Sequence, residues 1–216
     1  FRDILDAYLP AGTGTPRLAL RRRLLLRRFD RGLAGLERVV LVGMGSSYHA
    51  GLMASSWCRQ LLPGIETLLL RPVGVEHALR LMEPEKDLVI LLSWSGTTAD
   101  MVEFARELEA SRISFIVVTS KPYSELGLFA WRSLGVVNLI AGEEVTFSSV
   151  KSTGSMLLGI QLLVLWLARL SGGEGSGESR PGQLRSLPRI IGKLLADPGL
   201  EETVGRWAEQ SAGCTV

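Results

Sequence analysis

The segment Asp87-Leu-Val-Ile-Leu-Leu-Ser-Trp-Ser-Gly-Thr-Thr98 joins a run of apolar residues to a turn that carries four hydroxyl groups. A helical pattern over residues 99–109 follows directly, so the segment predicts a strand, a tight turn and a helix N-terminus. Free N–H groups and the positive end of the helix dipole favour an anion at such a turn. Thr98 alone would cap the helix, but four hydroxyls exceed what a cap requires, so we interpret the turn as a phosphate site.

A second segment nearer the N-terminus has the same arrangement. The apolar run 38–42 leads into Gly43-Met-Gly-Ser-Ser47 and then into a helical pattern over residues 48–62. Small residues at this turn let a ligand approach the backbone closely. Tyr48 stands where a dinucleotide-binding turn has its third glycine, and the G-K-[ST] ending of a P-loop is absent. The sequence therefore favours a small phosphorylated metabolite over a nucleotide.

A third polar segment, residues 143–153, separates a short apolar run at 136–140 from a long apolar helical pattern at 152–170. It brings carboxylates, hydroxyls and the ammonium of Lys151 into one loop, which suits a sugar that carries a phosphate. A capped helix with a solvated lysine explains the same residues equally well.

The order of apolar and helical patterns predicts an α/β fold. Short continuous apolar runs are typical of strands that are covered on both faces, and helical patterns lie between most of them. This alternation predicts a five-stranded, parallel, doubly wound sheet of the flavodoxin-like type, flanked by helices, with helical extensions at both ends. All three polar segments follow strand ends, where ligands bind in such sheets. The predicted strands are residues 38–42, 66–70, 88–92, 114–118 and 136–140.

Three motifs in these segments resemble the signatures of sugar isomerase (SIS) domains. They are Val42-Gly-Met-Gly-Ser-Ser-Tyr-His-Ala-Gly51, Ser93-Trp-Ser-Gly-Thr-Thr-Ala-Asp100 and Glu144-Val-Thr-Phe-Ser-Ser-Val-Lys151. The resemblance covers about residues 35–170 and is strongest to the first of the two SIS repeats in the isomerase half of the glucosamine-6-phosphate synthases.

The resemblance implies a site for a hexose 6-phosphate or amino-sugar phosphate, such as fructose 6-phosphate or glucosamine 6-phosphate. Trp94 stands where the family has glutamine, Thr97 where it has glutamate, and Phe147 and Ser148 where it has valine and alanine. Bulk at Trp94 and Phe147 would narrow the sugar pocket or alter its specificity. The binding residues that we predict are Gly45, Ser46, Ser47, Ser93, Trp94 through its backbone, Ser95, Thr98, Ser149 and Lys151.

Interconversion of an aldose and a ketose needs a base that moves a proton between adjacent carbons. Glu144 is our first choice for this role, because it shares a loop with Ser149 and Lys151. Orientation of that loop is the simpler interpretation of Glu144. Glu76, His49, His77 and Lys151 are the other candidates. We expect neither a metal nor a cofactor.

Composition narrows the remaining classes of protein. The chain has 216 residues, 46% of them apolar, and a net charge of +2, so bulk charge does not argue for a nucleic-acid partner. The basic run 21–28 is either a nucleic-acid or membrane patch or, as we favour, the solvated face of a helix. Cys58 and Cys214 lack the spacing of a zinc site or a disulfide framework, and no secretory signal is visible. We therefore expect a cytoplasmic protein with no membrane partner.

The domain plan follows from shifts in composition. We predict an N-terminal helical extension at 1–35, the SIS domain at 36–170, a flexible Gly/Ser-rich linker at 171–183 and a helical segment at 184–216. The last segment would lead toward a second SIS repeat outside this chain. The apolar stretch 156–170 is about fifteen residues, too short to span a bilayer, and we expect it in the core and in a homodimer contact.

These observations favour the phosphosugar-binding SIS domain of an isomerase or deaminase, with part of the catalytic set supplied by a second repeat or a partner subunit. A non-catalytic phosphosugar sensor and a dimerisation module remain as alternatives.

Overall fold

The computed structural model describes residues 1–11, 16–29, 33–144, 150–172 and 179–211. The strands are β1 Arg38–Gly43, β2 Glu66–Leu70, β3 Asp87–Leu92, β4 Phe115–Thr119 and β5 Gly135–Asn138. The helices are α1 Arg2–Tyr8, α2 Arg22–Arg28, α3 Ser46–Leu61, α4 Val75–Arg80, α5 Ala99–Ala110, α6 Glu125–Arg132, α7 Val150–Leu170, α8 Ser179–Leu195 and α9 Pro198–Ser211.

The five strands form one parallel sheet in the order β2-β1-β3-β4-β5, with helical connections between successive strands. Every residue of β3, at the centre, is buried, as expected for a parallel strand with both faces covered. The predicted five-stranded α/β fold is confirmed. Its switch in strand order lies between β1 and β3, so the ends of these two strands are where a ligand site is expected.

Two apolar cores fill the two sides of the sheet. Val39 and Leu41 of β1 belong to the core with α1, α3 and α7, whereas Val40 and Val42 belong to the core with α4, α5 and α6. This alternation is the two-residue period of a strand. The site loops are therefore anchored by strands that are packed from both sides.

Helix α7 contains 21 residues, so it is slightly longer than the helical pattern predicted at 152–170 and clearly longer than the apolar stretch 156–170 that we judged too short to span a bilayer. By length and composition α7 could cross a bilayer, and the prediction that it is too short is wrong. About two-thirds of the most apolar part of α7 is buried inside the domain, against α3, α1, β4 and β5. This burial accounts for its composition, as in a core helix of a globular domain.

The N-terminal segment packs into the same core. Ile4, Leu5 and Leu9 are buried, and the hydroxyl of Tyr8 accepts a hydrogen bond from the N–H of Asn138 in β5 at 2.8 Å. Burial raises the pKa of the Tyr8 phenol. The segment thus covers one edge of the sheet, while β2 forms the other edge and is partly exposed.

Helix α2 covers most of the basic run 21–28 within the predicted helical extension. Before it, the N–H of Arg21 donates to the carbonyl of Leu134 in the turn ahead of β5, which holds this stretch outside a helix. Within α2, Leu25 is buried and the side chains of Arg22, Arg23 and Arg27 are exposed. This is the solvated helix face that we favoured for the basic run.

The predicted linker at 171–183 is too long, because α8 already begins at Ser179. Pro181 lies in the first turn of α8, where proline is tolerated because its missing N–H would have no helical partner. Residues 212–216, the end of the helical segment predicted at 184–216, lie outside the described residues.

Candidate functional site

The predicted hydroxyl segments meet at the carboxyl ends of β1 and β3. A pocket of about 280 Å³ lies between the start of α3 and the turn that follows β3. Met44, Leu92 and Met101 supply its apolar wall. Seven of the predicted binding residues line this pocket, namely Gly45, Ser46, Ser47, Ser93, Trp94, Ser95 and Thr98.

Neither helix that starts at the pocket is capped by a side chain. Gly45 is the N-cap residue of α3, and its φ of 55° is one that glycine adopts without strain. Thr98 is the N-cap residue of α5, but its hydroxyl accepts no capping hydrogen bond. Two helix N-termini therefore face the pocket region without a side-chain cap, an arrangement that suits an anion.

The turn after β3 is held by its own serines. Ser93 is 2% exposed, and its Oγ accepts a hydrogen bond from the N–H of Gly96 at 3.1 Å. The Oγ of Ser95 accepts from the N–H of Thr97 at 3.3 Å. Because a hydroxyl that accepts one bond can still donate its hydrogen, both serines retain a donor for a ligand.

Trp94 is fixed through its carbonyl oxygen. That oxygen accepts from the Thr119 hydroxyl at 3.1 Å, from the Ser120 hydroxyl at 3.0 Å and from the Ser120 N–H at 3.2 Å. The acceptor capacity of this carbonyl is therefore used by Thr119 and Ser120, at the end of β4 and in the loop after it. The predicted backbone contact between Trp94 and a ligand would have to come from elsewhere on its backbone.

A larger cavity of about 710 Å³ adjoins the pocket, with Trp94 and Ser95 lining both. Its other walls come from Thr97, from Glu143 and Glu144, and from the turn Lys121–Ser124 that follows β4. We did not predict this turn as part of the site. The sequence Thr119-Ser-Lys-Pro-Tyr-Ser124 nevertheless carries the same signal as the other segments, hydroxyls directly after an apolar strand.

The third polar segment is partly described. The Oε2 of Glu144 accepts a hydrogen bond from the N–H of Ser152, in the first turn of α7, at 2.8 Å. The ammonium of Lys151 donates to the carbonyl of Glu143 at 2.9 Å. Ser149 lies outside the described residues. Glu144 thus reaches the larger cavity while it binds the start of a helix, which is the orienting role considered for it.

Three of the other acid–base candidates lie away from both cavities. Glu76 has a side chain 91% exposed, 4.0 Å from Arg80. His77 is exposed, and the exposed His49 packs edge-on to the ring of Tyr48 with centroids 6.0 Å apart. Within the described residues, no three His, Cys, Asp or Glu side chains form a group that could hold a metal ion.

The sequence matches a family model and several known proteins. The model of the SIS domain matches residues 32–166. The glutamine–fructose-6-phosphate aminotransferase (isomerizing) of Chlamydia pneumoniae is 33% identical over 188 residues, which cover 83% of this chain and 29% of that enzyme. The chain therefore spans less than a third of this curated relative.

The fold matches solved structures as well. The C-terminal domain of glucosamine-fructose-6-phosphate aminotransferase from Francisella tularensis has a TM-score of 0.77 at 18% identity, covering 98% of this chain and 55% of that chain. The sugar isomerase domain of an RpiR transcription factor from Sphaerobacter thermophilus has a TM-score of 0.55 at 18% identity, covering 89% and 92% of the two chains. At these identities the structures show a shared fold. The family model matches more than half of the chain, and this match establishes that the chain belongs to the SIS domain family.

Proposed function

We propose that this chain is the phosphosugar-binding SIS domain of an aldose–ketose isomerase or deaminase that acts on a hexose 6-phosphate or an amino-sugar phosphate. The observation that carries the proposal is the pocket at the ends of β1 and β3, where hydroxyls from two loops converge beside two helix N-termini. The enzyme named for the curated relative uses fructose 6-phosphate, which makes that ester the first ligand to test.

The chemistry of the pocket supports a phosphate ester. A phosphate presents acceptor oxygens, and serine and threonine hydroxyls supply neutral donors that can rotate toward them. Hydrogen bonds to an ionised acceptor are stronger than those between neutral groups. Helix N-termini add partial positive charge without a cationic side chain.

Isomerisation would take place in the larger cavity, where Glu144 is the carboxylate that we propose as the base. Its Oε2 already accepts from Ser152, so this carboxylate serves the helix as well as any reaction. We propose that the remaining catalytic groups come from a second SIS repeat or from a partner subunit in a cytoplasmic homodimer.

The engagement of Glu144 with α7 also favours a second function, a phosphosugar sensor that binds the ester without turnover. The match in fold to a domain of a transcription factor fits this alternative. In a sensor the pocket of about 280 Å³ at the ends of β1 and β3, which we call the hydroxyl pocket, would be intact. No group in the larger cavity would abstract a proton.

Calorimetric titration with fructose 6-phosphate, with fructose as the control, tests the pocket. We expect saturable binding of the ester alone. Ser95→Ala should weaken binding by about 1.5 to 3 kcal/mol, the usual contribution of a hydrogen bond to a charged group. Ser56→Ala is the matched control, because Ser56 lies on α3, lines neither cavity and bonds to the carbonyl of Met53. Absence of binding by the folded chain would leave the dimerisation module.

Proton exchange separates the enzyme from the sensor. An isomerase exchanges the carbon-bound hydrogen of fructose 6-phosphate with deuterium from the solvent, which proton NMR detects even when net conversion is small. Exchange by the full-length protein that is lost on Glu144→Gln supports a base at this position. Tight binding without exchange supports the sensor.

A further inference from the structure

The two adjoining cavities differ in size and in wall chemistry. The pocket of about 280 Å³ combines small hydroxyl residues with an apolar wall from Met44, Leu92 and Met101, whereas the cavity of about 710 Å³ adds Pro122 and Tyr123 to the Trp94 that both share. Sites that bury small organic ligands usually measure about 300 to 1,000 Å³ and are lined mainly by apolar and aromatic groups. The smaller pocket therefore suits a phosphoryl group, and the larger cavity suits the rest of a ligand.

Trp94 is the side chain that both cavities share along with Ser95. Three hydrogen bonds to its carbonyl hold its backbone, and its side chain packs partly against the core formed by α1, α3 and α7. Trp94 therefore lies where the two cavities meet, with its backbone held by hydrogen bonds and its side chain half-buried.

We propose that Trp94 determines ligand specificity by stacking on the closed ring of a sugar 6-phosphate in the larger cavity, while the phosphate occupies the hydroxyl pocket. This inference rests on the proposed function. The face of an indole ring carries partial negative charge, so it attracts the weakly positive C–H groups of a sugar ring. A pyranose chair presents several C–H groups on one face, whereas an open-chain polyol has no such surface.

Polar groups around the same cavity match the hydroxyls of a sugar. Ser95, Thr97 and Ser124 offer hydroxyls, and Lys121 and Glu143 offer a donor and an acceptor. Neither the Lys121 ammonium nor the Glu143 carboxylate takes part in an ion pair with another described residue. Polar partners at the rim and an aromatic wall are the combination that a pyranose ring needs.

The test compares inorganic phosphate, glucose 6-phosphate and glucitol 6-phosphate, the last being the open-chain alcohol of the same length. Calorimetry on the wild type should show tighter binding of glucose 6-phosphate than of glucitol 6-phosphate by roughly 3- to 10-fold. Trp94→Leu should bind the two esters equally, and Trp94→Phe should keep part of the preference. In both variants the loss of affinity for inorganic phosphate should be smaller than the loss of affinity for glucose 6-phosphate. Trp207→Leu, an exposed tryptophan on α9, is the matched control and should behave as the wild type.

The possible failures are distinguishable. If the folded wild type binds neither ester nor phosphate, the proposed function fails and this inference fails with it. If both esters bind the wild type equally, or Trp94→Leu retains the preference, only this inference is overturned. Should Trp94→Leu not fold, saturation transfer from indole protons to the C–H protons of glucose 6-phosphate decides. Transfer in the wild type that is lost in Trp94→Phe supports stacking, and absence of transfer overturns it.

Discussion

The two ends of the parallel strands use polar residues in opposite ways. We call the side of the sheet where the strands begin the amino edge, and the side where they end the carboxyl edge. At the amino edge, Arg38 at the start of β1 donates to both carboxylate oxygens of Asp87 at the start of β3, at 3.0 and 2.6 Å. Asp87 is 1% exposed and also accepts from the N–H of Glu83 at 2.8 Å. The hydrogen bond to Asp87 raises the pKa of Arg38. At the carboxyl edge, the serines and threonines around the pocket are uncharged. Hydrogen bonds within the turn after β3 hold Ser93 and Ser95, and the two helices that start there have no side-chain caps.

The difference separates residues that stabilise the fold from residues that we propose bind a ligand. A charge that is paired and buried contributes to folding only while its partner is present, because breaking the pair leaves a desolvated charge. Uncharged donors at a helix start lower the stability of the fold little when no ligand is bound. Their hydrogen bonds are strongest when the acceptor is an anion. Mutations at the amino edge should therefore change stability without changing affinity.

The largest effect is expected at the amino edge. Asp87→Ala should lower the free energy of unfolding by about 3 kcal/mol or more, because the Arg38 guanidinium loses a bidentate partner in a mostly buried position. Urea unfolding at pH 7 measures this loss.

Glu109→Ala is the matched control for an exposed pair. Glu109 also binds an arginine through two hydrogen bonds, from Arg132 at 2.7 and 3.1 Å, but both side chains are about half exposed. The loss there should be below about 1 kcal/mol. Equal losses in the two variants would contradict the contrast, as would a change of affinity for glucose 6-phosphate in Asp87→Ala.

At the carboxyl edge, Gly96→Ala is expected to lower both the stability of the domain and its affinity for the ester. Gly96 has a φ of 65°, and an added Cβ would lie 1.9 Å from the Oγ of Ser124. The turn after β3 would have to move, so we expect a loss of about 2 to 4 kcal/mol in stability together with loss of ester binding. Thermal unfolding and calorimetry measure the two effects.

Gly74→Ala isolates the backbone part of that effect. Gly74 has a φ of 66°, almost the same as Gly96, but nothing lies within 4 Å of its added Cβ. The left-handed conformation alone should cost about 1 to 2 kcal/mol. If Gly74→Ala costs as much as Gly96→Ala, close packing against Ser124 does not constrain the turn.

Cys58 gives a pH-dependent prediction. Cys58 lies in the last turn of α3, at the opposite end of that helix from the pocket. Burial raises the pKa of its thiol from 9.0 to about 11. In the unfolded chain the thiol ionises from pH 9, whereas the folded chain keeps the proton until pH 11. Stability from this group is complete below pH 9 and falls between pH 9 and 11, by roughly 2 kcal/mol.

Urea unfolding of the wild type and Cys58→Ala at pH 8 and pH 10.5 measures the fall. Both proteins lose stability from their other groups, Tyr8 included, so the difference between the two slopes reports the thiol. Parallel slopes would show that Cys58 is reached by solvent at high pH.

A smaller effect on stability is expected at Glu144. Its hydrogen bond to the N–H of Ser152 stabilises the start of α7, so Glu144→Ala should cost about 1 kcal/mol and Glu144→Gln less. Thermal unfolding of the two variants measures this. Unchanged stability in Glu144→Ala would remove the helix-orienting role and strengthen the case for a base.

Much of the fold follows from patterns within single segments. The apolar run 87–92 and the hydroxyl turn behind it predicted a strand and a helix start, and both lie where predicted. Strand ends were less predictable, since β5 ends at Asn138 and Ile140 takes a φ of 43°, a conformation that an apolar run does not indicate. The position of α2 depends on a hydrogen bond to Leu134, more than 100 residues away.

For the site, the sequence indicated which loops meet but not what each side chain binds. The pocket contains seven predicted residues, because parallel strands bring their carboxyl ends to one edge. The engagement of the Trp94 carbonyl by Thr119 and Ser120, and of Glu144 by α7, depends on distances between loops. The roles of the predicted binding residues remain predictions until ligands are measured.

The N-terminal segment that covers β5 has a practical consequence for anyone who expresses this domain. The family match begins at residue 32, yet Ile4, Leu5 and Leu9 fill space in the core and Tyr8 bonds to the edge strand. A fragment trimmed to the match would uncover apolar surface and expose unpaired backbone groups on β5. Its poor solubility would reflect a wrongly placed cloning boundary, and protection of residues 4–9 from limited proteolysis is the test to make before trimming.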